Sequence, residues 1–327
     1  MSKYDVVAMG ELLIDFTQNG YSSQGNPLFE ANPGGAPCNV LAMLQKLGHK
    51  TAFIGKVGKD GFGYQLEKAL KETGISTEGL LFDEAVHTTL AVVQKKEDGD
   101  RDFSFYRKPG ADMMLRAEEI KEECIRNATI FHFGSLSLTD EPVREATQKA
   151  LRIAEDAGIL ISFDPNLRKP LWETEDLAKE QIRYGLQHCQ ILKIADDELE
   201  WLTEEMDYDK AIKLIREEFR IPLVLLSMGR NGSRAYCGTQ EAEMPSFLRE
   251  DTIETTGAGD TFMGCILHQV LKRGCENLSK QDLEEMLRFA NAAASIITTR
   301  RGALRVMPEE AEILAQAYQI CRCRGGA

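Results

Sequence analysis

Short apolar runs alternate with amphipathic segments along most of the chain. The first strand is predicted over 4–9, where a β-branched and apolar run ends at Gly10. Strand and helix pairs with the same pattern are predicted at 51–57 and 61–73, 130–133 and 141–157, 159–163 and 177–187, 191–194 and 196–203, with a further strand at 222–227 before a glycine turn. This alternation predicts an α/β fold in which helices cover both faces of a mostly parallel sheet.

Two segments interrupt the alternation. The chain after Gly10 is extended in pattern, and 18–32 is rich in Gly, Ser, Asn and Gln, which predicts a flap that leaves the sheet. Residues 88–94 and 101–106 flank an Asp- and Gly-containing turn at 96–100, and this pattern predicts a β-hairpin. We expect the flap and the hairpin to form a small second sheet. Further helices are predicted at 36–47, 259–273, 280–299 and 308–318.

Composition excludes several classes of protein. The 327 residues are 43% hydrophobic, which excludes disorder as a description of the whole chain. Acidic residues exceed basic ones, 52 to 39, so the net charge of −13 disfavours nucleic acid and anionic lipid as partners. We find no signal peptide and no apolar stretch near the roughly 18 residues that span a membrane. The eight cysteines form no CxxC motif, as is typical of a cytoplasmic protein.

A glycine turn at 254–262, Glu-Thr-Thr-Gly-Ala-Gly-Asp-Thr-Phe, opens the helix predicted from 259. Backbone amides at such a helix start can approach an anion closely, and the helix macrodipole adds about half a positive charge there. Asp260 has two interpretations, a helix N-cap or a carboxylate that accepts a hydroxyl proton beside a bound phosphoryl group. The small residues of the turn are more permissive than a cap requires, which favours the second interpretation.

An earlier glycine turn at 33–39 opens the helix predicted from 36. Asn39 lies one turn into that helix, where it can serve ordinary capping or present an amide to sugar hydroxyls. Asp15, just past the first strand, is either a solvated loop acid or an acceptor for two neighbouring hydroxyls. Neither GxxxxGK[ST] nor a GxGxxG after the first strand is present, which disfavours a P-loop ATPase and a dinucleotide-binding dehydrogenase.

Together the two glycine turns resemble the PfkB, or ribokinase-like, family of ATP-dependent sugar kinases. The match rests on Gly34-Gly35-Ala36-Pro37-Cys38-Asn39-Val40 and on Thr255-Thr256-Gly257-Ala258-Gly259-Asp260-Thr261-Phe262. Within the family the chain looks most similar to the fructokinases, through 35–39, 105–112 and 164–168. The resemblance implies one domain over 1–327, with a three-layer α/β/α core and a β-sheet lid formed by about 12–32 and 87–110.

The resemblance also implies a role for each matching residue. Asp260 would be the catalytic base, with an anion hole formed by the amides of Gly257, Ala258 and Gly259. The sugar would be held by Asp15, Gly34, Gly35, Asn39, Arg107, Asp164, Asn166 and Arg168, and the nucleotide by Lys193, Ser227, Gly229, Gly232 and Asn291. Glu198 would support Mg²⁺ through water. Glu254 and Thr256 would lie at a site for a monovalent cation such as K⁺, although the family usually has Asp where this chain has Glu254.

The implied reaction transfers the γ-phosphate of ATP to a primary hydroxyl of a ketose, with fructose 6-phosphate as the expected product. The alternative substrates are 2-keto-3-deoxygluconate, tagatose and ribose. Arg107 matters for the first of these, because an arginine over the pocket can pair with a substrate carboxylate as readily as with a hydroxyl. A non-catalytic sugar or nucleotide sensor on the same fold is a further alternative, against which the presence of Asp260 argues. The exposed edges of a lid sheet also predict a homodimer formed through the lid.

Overall fold

The computed structural model describes residues 2–95 and 101–324, and within these ranges the chain forms two β-sheets. The strands are β1 (Tyr4–Met9), β2 (Leu13–Tyr21), β3 (Pro27–Gly34), β4 (Thr51–Gly58), β5 (Ser76–Asp83), β6 (Leu90–Lys95), β7 (Arg101–Tyr106), β8 (Ala128–Gly134), β9 (Leu160–Asp164), β10 (Ile191–Ala195), β11 (Leu223–Ser227), β12 (Ser233–Cys237) and β13 (Gln240–Met244). The helices are α1 (Ala36–Lys46), α2 (Gly61–Thr73), α3 (Glu122–Arg126), α4 (Val143–Asp156), α5 (Glu175–His188), α6 (Asp196–Thr203), α7 (Tyr208–Phe219), α8 (Ala258–Arg273), α9 (Lys280–Ile297) and α10 (Glu310–Arg324).

The large sheet has nine strands in the order β13-β12-β11-β10-β9-β8-β1-β4-β5. Neighbouring strands from β11 to β5 run parallel, whereas β12 and β13 are added antiparallel at one edge. The strand order reverses at β1, because β4 follows on one side of it and β8 on the other. In open α/β sheets this reversal opens a crevice at the carboxyl ends of the strands, where ligands bind.

Helices cover both faces of the large sheet, as successive residues of β1 show. Val6 and Ala8 belong to a core with α1, α2, α8, α9 and α10, whereas Val7 and Met9 belong to a second core with α3 to α7. Because side chains alternate across a strand and both faces are buried, β1 must be apolar at successive positions. The three-layer α/β/α core and the mostly parallel sheet are therefore confirmed.

The small sheet has the order β3-β2-β6-β7. It lies at the carboxyl edge of the large sheet, because its residues share the lining of a cavity with Asn166, which follows the carboxyl end of β9. It is placed there because β2 follows β1 almost directly in the chain. β6 and β7 pair antiparallel, which confirms the predicted hairpin strands, and β2 pairs parallel with β6, which confirms the predicted second sheet. The predicted turn at 96–100 lies outside the described residues.

Sequence patterns missed five elements, one of which is the five-residue helix α3. β5 is an edge strand with only Gly79 and Leu80 buried, and β12 and β13 add a hairpin at the opposite edge. α7 follows α6 after a short connection that contains no Gly or Pro, so no turn signal separates the two helices. No helix within the described residues is both long and apolar enough to cross a bilayer.

Candidate active site

Two cavities meet at the start of α8. The first, of about 280 Å³, lies between the carboxyl edge of the large sheet and the small sheet, and the second, of about 460 Å³, lies beside β11 and α9. Thr255 and Gly259 line both cavities, so the turn that begins α8 forms the wall between them. A chemical group could therefore pass from a ligand in one cavity to a ligand in the other at this turn.

The turn presents backbone amides to this wall. Gly257 is the N-cap residue of α8 with φ of 75°, and a Cβ there would lie 2.6 Å from the Cβ of Ala303, so the position requires glycine. The amides of Gly259 and Asp260 have no acceptor within the helix, as is usual for a first turn. The Ala258 amide differs from the prediction, because it already donates to the Thr255 carbonyl at 3.2 Å.

Asp260 lines the first cavity and is only 9% exposed. Its Oδ2 accepts a hydrogen bond of 2.8 Å from Asn39 Nδ2, and α8 has no side-chain N-cap hydrogen bond, so the N-cap interpretation of Asp260 is wrong. Burial raises the pKa of the Asp260 carboxyl above its usual range, against the opposing effects of the Asn39 hydrogen bond and of nearby cationic side chains. A raised pKa makes this carboxylate a better proton acceptor.

Asn39 reaches Asp260, a contact that the sequence did not indicate. The side chain is buried, lines the first cavity and donates to the Asp260 carboxylate. Asn39 Oδ1 is buried and has no hydrogen-bond partner within the described residues. Because buried polar atoms are normally paired, this oxygen remains available to accept from a ligand hydroxyl.

Asp15 and Gly34 form the wall of the first cavity under the small sheet. A Cβ at Gly34 would lie 2.3 Å from Asp15 Oδ2, so glycine leaves the space that this carboxylate occupies. Burial raises the pKa of Asp15 to about 7, although Arg168 has the opposite effect. Gly35, Asn166 and Arg168 also line this cavity. With Asn39, the structure thus brings together six of the eight residues predicted for the sugar.

Lys193 and Asp164 occupy different places from those predicted. Lys193, predicted for the nucleotide, lines the first cavity. Its Nζ is close to the turn, because a Cβ added at Gly259 would lie 3.2 Å from it. Asp164, predicted to line the sugar side, is buried behind Lys193, with carboxylate oxygens 3.1 Å from Nζ. Burial alone would lower the pKa of Lys193, but the Asp164 carboxylate raises it above its usual value. The ammonium group therefore stays charged beside the amides of the turn.

Arg107 does not line the first cavity, contrary to the prediction. Its guanidinium donates to Asp112 at 2.7 Å, to Thr139 Oγ1 at 3.1 Å and to the Leu136 carbonyl at 2.9 Å. The residue is only 4% exposed. In this conformation Arg107 holds the chain after β7 against the core and has no contact with a sugar site.

The second cavity contains the remaining residues predicted for the nucleotide. Ser227, Gly229, Gly232 and Asn291 all line it, together with Ala258. The Asn291 side chain is already paired, because Oδ1 accepts from Ser233 Oγ and Nδ2 donates to the carbonyls of Met244 and Pro245. Asn291 therefore stabilises the wall of the cavity. Much of the rest of the lining was not predicted and comprises Phe247, Leu248, Arg249, Ala294, Ser295 and Thr298.

Comparison with known proteins identifies the family of this chain. Residues 3–310 match the pfkB family carbohydrate kinase profile.

The chain belongs to the pfkB family of carbohydrate kinases. Fructokinase-1 of Zea mays is 41% identical over 313 residues, which cover 94% of this chain and 96% of that protein. The fructokinase of Xylella fastidiosa with bound ATP has a TM-score of 0.88 and 30% identity, over 97% of this chain and 99% of that one. The fructokinase of Vibrio cholerae O395 with fructose, ADP and calcium has a TM-score of 0.85 and 27% identity, over 96% of this chain and 99% of that one. These similarities confirm the predicted family and its ribokinase-like fold.

Glu198 of this pfkB kinase lines neither cavity. Its Oε1 accepts from the Leu167 amide at 2.6 Å and its Oε2 from the Ala195 amide at 2.9 Å, so it ties the loop after β9 to the start of α6. Within the described residues no group of three or more His, Cys, Asp or Glu could hold a metal ion. Mg²⁺ in kinase sites is usually bound by one or two carboxylates, substrate phosphates and water. Glu198 fits that arrangement, because each of its carboxylate oxygens accepts only one backbone amide and keeps a further lone pair.

Glu254 and Thr256 line the first cavity of the kinase. Glu254 is buried, its Oε1 accepts from the Gly302 amide at 2.8 Å, and it forms no ion pair with a described Lys or Arg. A buried carboxylate without a cationic partner is costly. This environment fits a monovalent cation as the missing positive charge.

Several lining residues of the first cavity were not predicted. They are Glu11, Leu13, Thr17, Gln18, Asn32, Pro33, Ala36, Val93, Phe105, Leu136, Thr255, Gly302 and Ala303. The position of Glu11, directly after the end of β1, is the same kind of signal that indicated Asp15. The segment around Gly302 follows α9 and carried no comparable signal, because only folding brings it beside Gly257.

Proposed function

We propose that this kinase transfers the γ-phosphate of ATP to the 6-hydroxyl of fructose. The observation that carries the proposal is the buried Asp260 carboxylate in the first cavity, beside the amide-bearing turn that separates the two cavities. The sugar occupies the first cavity and ATP the second. The similarity to fructokinases along nearly the whole chain supports this choice of substrate.

Asp260 acts as the catalytic base. One carboxylate oxygen is oriented by Asn39, and the other accepts the proton as the hydroxyl oxygen attacks the γ-phosphorus. The new O–P bond forms while the bond from the γ-phosphorus to the bridging oxygen breaks, and ADP leaves. Because an alcohol is a much weaker acid than a carboxyl group, the proton is transferred late, when the O–P bond is largely formed.

Charge on the transferred group is stabilised by the turn and by Lys193. The amides of Gly257 and Gly259 form the anion hole, whereas Ala258 would have to release Thr255 to join them. Such preorganised donors commonly supply the largest part of catalysis. Glu198 would hold Mg²⁺ through water, and the bound ion would supply positive charge that neutralises the phosphates.

The sugar is held by Asp15, Gly34, Gly35, Asn166 and Arg168. The small sheet acts as a lid within the single domain 1–327, with lid segments at about 12–32 and 87–110, and excludes water from the reaction. Arg107 would reach the sugar only if its ion pair with Asp112 opened.

A homodimer formed through the lid remains a prediction. Three exposed side chains on the lid strands, Tyr21, Leu28 and Tyr106, are candidates for such a contact.

A panel of sugars tests the choice of substrate. We expect fructose to give a kcat/KM at least about tenfold above those of tagatose, ribose and 2-keto-3-deoxygluconate, in line with the similarity to fructokinases. Only the last of these sugars is an acid, and the Arg107 guanidinium that could have paired with its carboxylate is occupied by Asp112. ADP release is measured for each sugar. Strongest turnover on another sugar would reject fructose as the substrate.

The same assay in K⁺ and in Na⁺ tests the monovalent-cation site. We expect faster turnover in K⁺, because Glu254 lacks a cationic partner.

The pH profile tests the environment of the carboxylates. We expect kcat/KM for fructose to fall as pH decreases through about 7, because Asp15 then gains a proton and can no longer accept from two sugar hydroxyls. The raised pKa of Asp260 acts in the same direction. The measurement is ADP formation at saturating ATP between about pH 5 and 9. A kcat/KM that stays constant down to about pH 5, as carboxyls with the usual pKa near 4 would give, would contradict the burial argument.

A further inference from the structure

Glu11 is a buried carboxyl in the first cavity that the mechanism above does not use. It is 5% exposed, and its Oε1 accepts a hydrogen bond of 2.9 Å from the Ala36 amide. Helix α1 begins at Ala36 after Gly35, has no side-chain N-cap hydrogen bond of its own and has no acidic residue in its first turn. Glu11 therefore supplies from the loop after β1 the acceptor that a helix normally takes from its N-cap residue.

The backbones of the two segments are packed together at the same place. A Cβ at Gly35 would lie 2.3 Å from the Glu11 carbonyl oxygen, and Gly35 has φ of 129°. A Cβ at Gly10 would lie 2.7 Å from Cγ of Pro37. The start of α1 thus has no free space on the side of Glu11, so the position of one segment determines the position of the other.

The segment that leads into the first turn of α1 contains residues from both halves of the site. Gly34 and Gly35, just before the helix, line the sugar cavity. The Asp15 carboxylate occupies the space that a side chain at Gly34 would fill. Asn39 donates its backbone amide to the Gly35 carbonyl at 3.0 Å and its side-chain Nδ2 to Asp260 at 2.8 Å. A shift at the start of α1 would therefore move the sugar wall and the partner of the base together.

We propose that Glu11 is a positioning residue that fixes the start of α1 and, through it, both the sugar-binding glycines and the Asn39 contact with Asp260. This inference rests on the proposed function, because it assigns the sugar to the first cavity. For this role, the Glu11 side chain must present an oxygen that accepts a hydrogen bond from the Ala36 amide. Burial raises the pKa of Glu11 to about 7, and an oxygen that accepts is present in both the charged and the neutral form of the side chain.

Three substitutions separate this role from others. Glu11→Ala removes the acceptor, Glu11→Asp shortens the side chain so that it no longer reaches Ala36, and Glu11→Gln keeps an acceptor oxygen at the same length. Asp207→Ala is the matched control, because Asp207 is the N-cap of α7, accepts from the amides of Asp209 and Lys210, and lines neither cavity. Melting temperature, kcat, the KM for each substrate and the calorimetric Kd for sugar are measured for every variant.

We expect Glu11→Ala and Glu11→Asp to raise the sugar KM and Kd about tenfold and to lower kcat, because a buried amide loses its acceptor. The KM for ATP should change by less than about twofold, since α1 does not line the second cavity. Glu11→Gln should restore most of the sugar affinity and turnover. Asp207→Ala should lower the melting temperature and leave both KM values as they are.

Two results would overturn the proposal. One is a sugar Kd and a kcat within about twofold of wild type in Glu11→Asp, the variant that carries the test if Glu11→Ala does not fold. The other is a Glu11→Gln variant as defective as Glu11→Ala, which would show a direct charged contact with the sugar. Wild type is assayed first on the sugar panel. Failure on fructose would reject the proposed substrate, and the Glu11 comparison would then use the preferred sugar or, without turnover, sugar binding alone.

Discussion

Asp260→Asn is expected to lower kcat about a thousandfold, because the variant loses the group that accepts the hydroxyl proton. The amide has the same shape as the carboxylate, and its oxygen can still accept from Asn39 Nδ2, so the cavity wall should stay in place. The Kd values for sugar and ATP should therefore remain close to those of wild type. Steady-state ADP release gives kcat, and titration calorimetry gives the two Kd values.

Asp207→Asn is the matched control for this substitution, since Asp207 is an exposed N-cap remote from both cavities. It should leave kcat as it is. Full activity in Asp260→Asn would remove Asp260 as the base. A wild-type protein that binds sugar and ATP but transfers no phosphate would instead support the sensor alternative.

Gly257→Ala is expected to lower kcat about a hundredfold, because it disturbs the donors of the anion hole. The added Cβ would lie 2.6 Å from the Cβ of Ala303, and φ of 75° is unfavourable for alanine. The turn must then shift, and with it the amides of Gly257 and Gly259. The KM for sugar should change less than kcat, since the sugar wall around Asp15 and Gly34 is formed by other segments.

Gly238→Ala separates this effect from backbone strain alone. Gly238 has φ of 56°, and a Cβ there would meet nothing within 4 Å, so this variant has the unfavourable backbone without the clash. Both variants should lose about 1 kcal/mol or more of unfolding free energy, measured by denaturant titration. Only Gly257→Ala should lose turnover. Equal kcat in the two variants would show that the turn does not bind the transferred group.

The layers of the fold could be predicted because they follow from local periodicity. The apolar run of β1, with Val6 and Val7 facing opposite cores, indicates a strand buried on both faces wherever it lies in the sheet. The glycine turns before α1 and α8 could likewise be found by composition, since their backbones require glycine. Edge strands such as β5 escaped because few of their residues are buried.

The contacts within the site could not be predicted in the same way. Arg107 pairs with Asp112, and Lys193 pairs with Asp164, although the sequence offers each cation several acids at similar separations. Asn39 reaches Asp260 only because α1 and α8 pack side by side in one layer. The sequence by itself determined the element types, the two turns and the kind of chemistry they can perform, because these depend on neighbours in the chain. Only the tertiary structure decided which side chain faces the cavity and which one holds it, because burial makes each polar group take the partner that folding brings within reach.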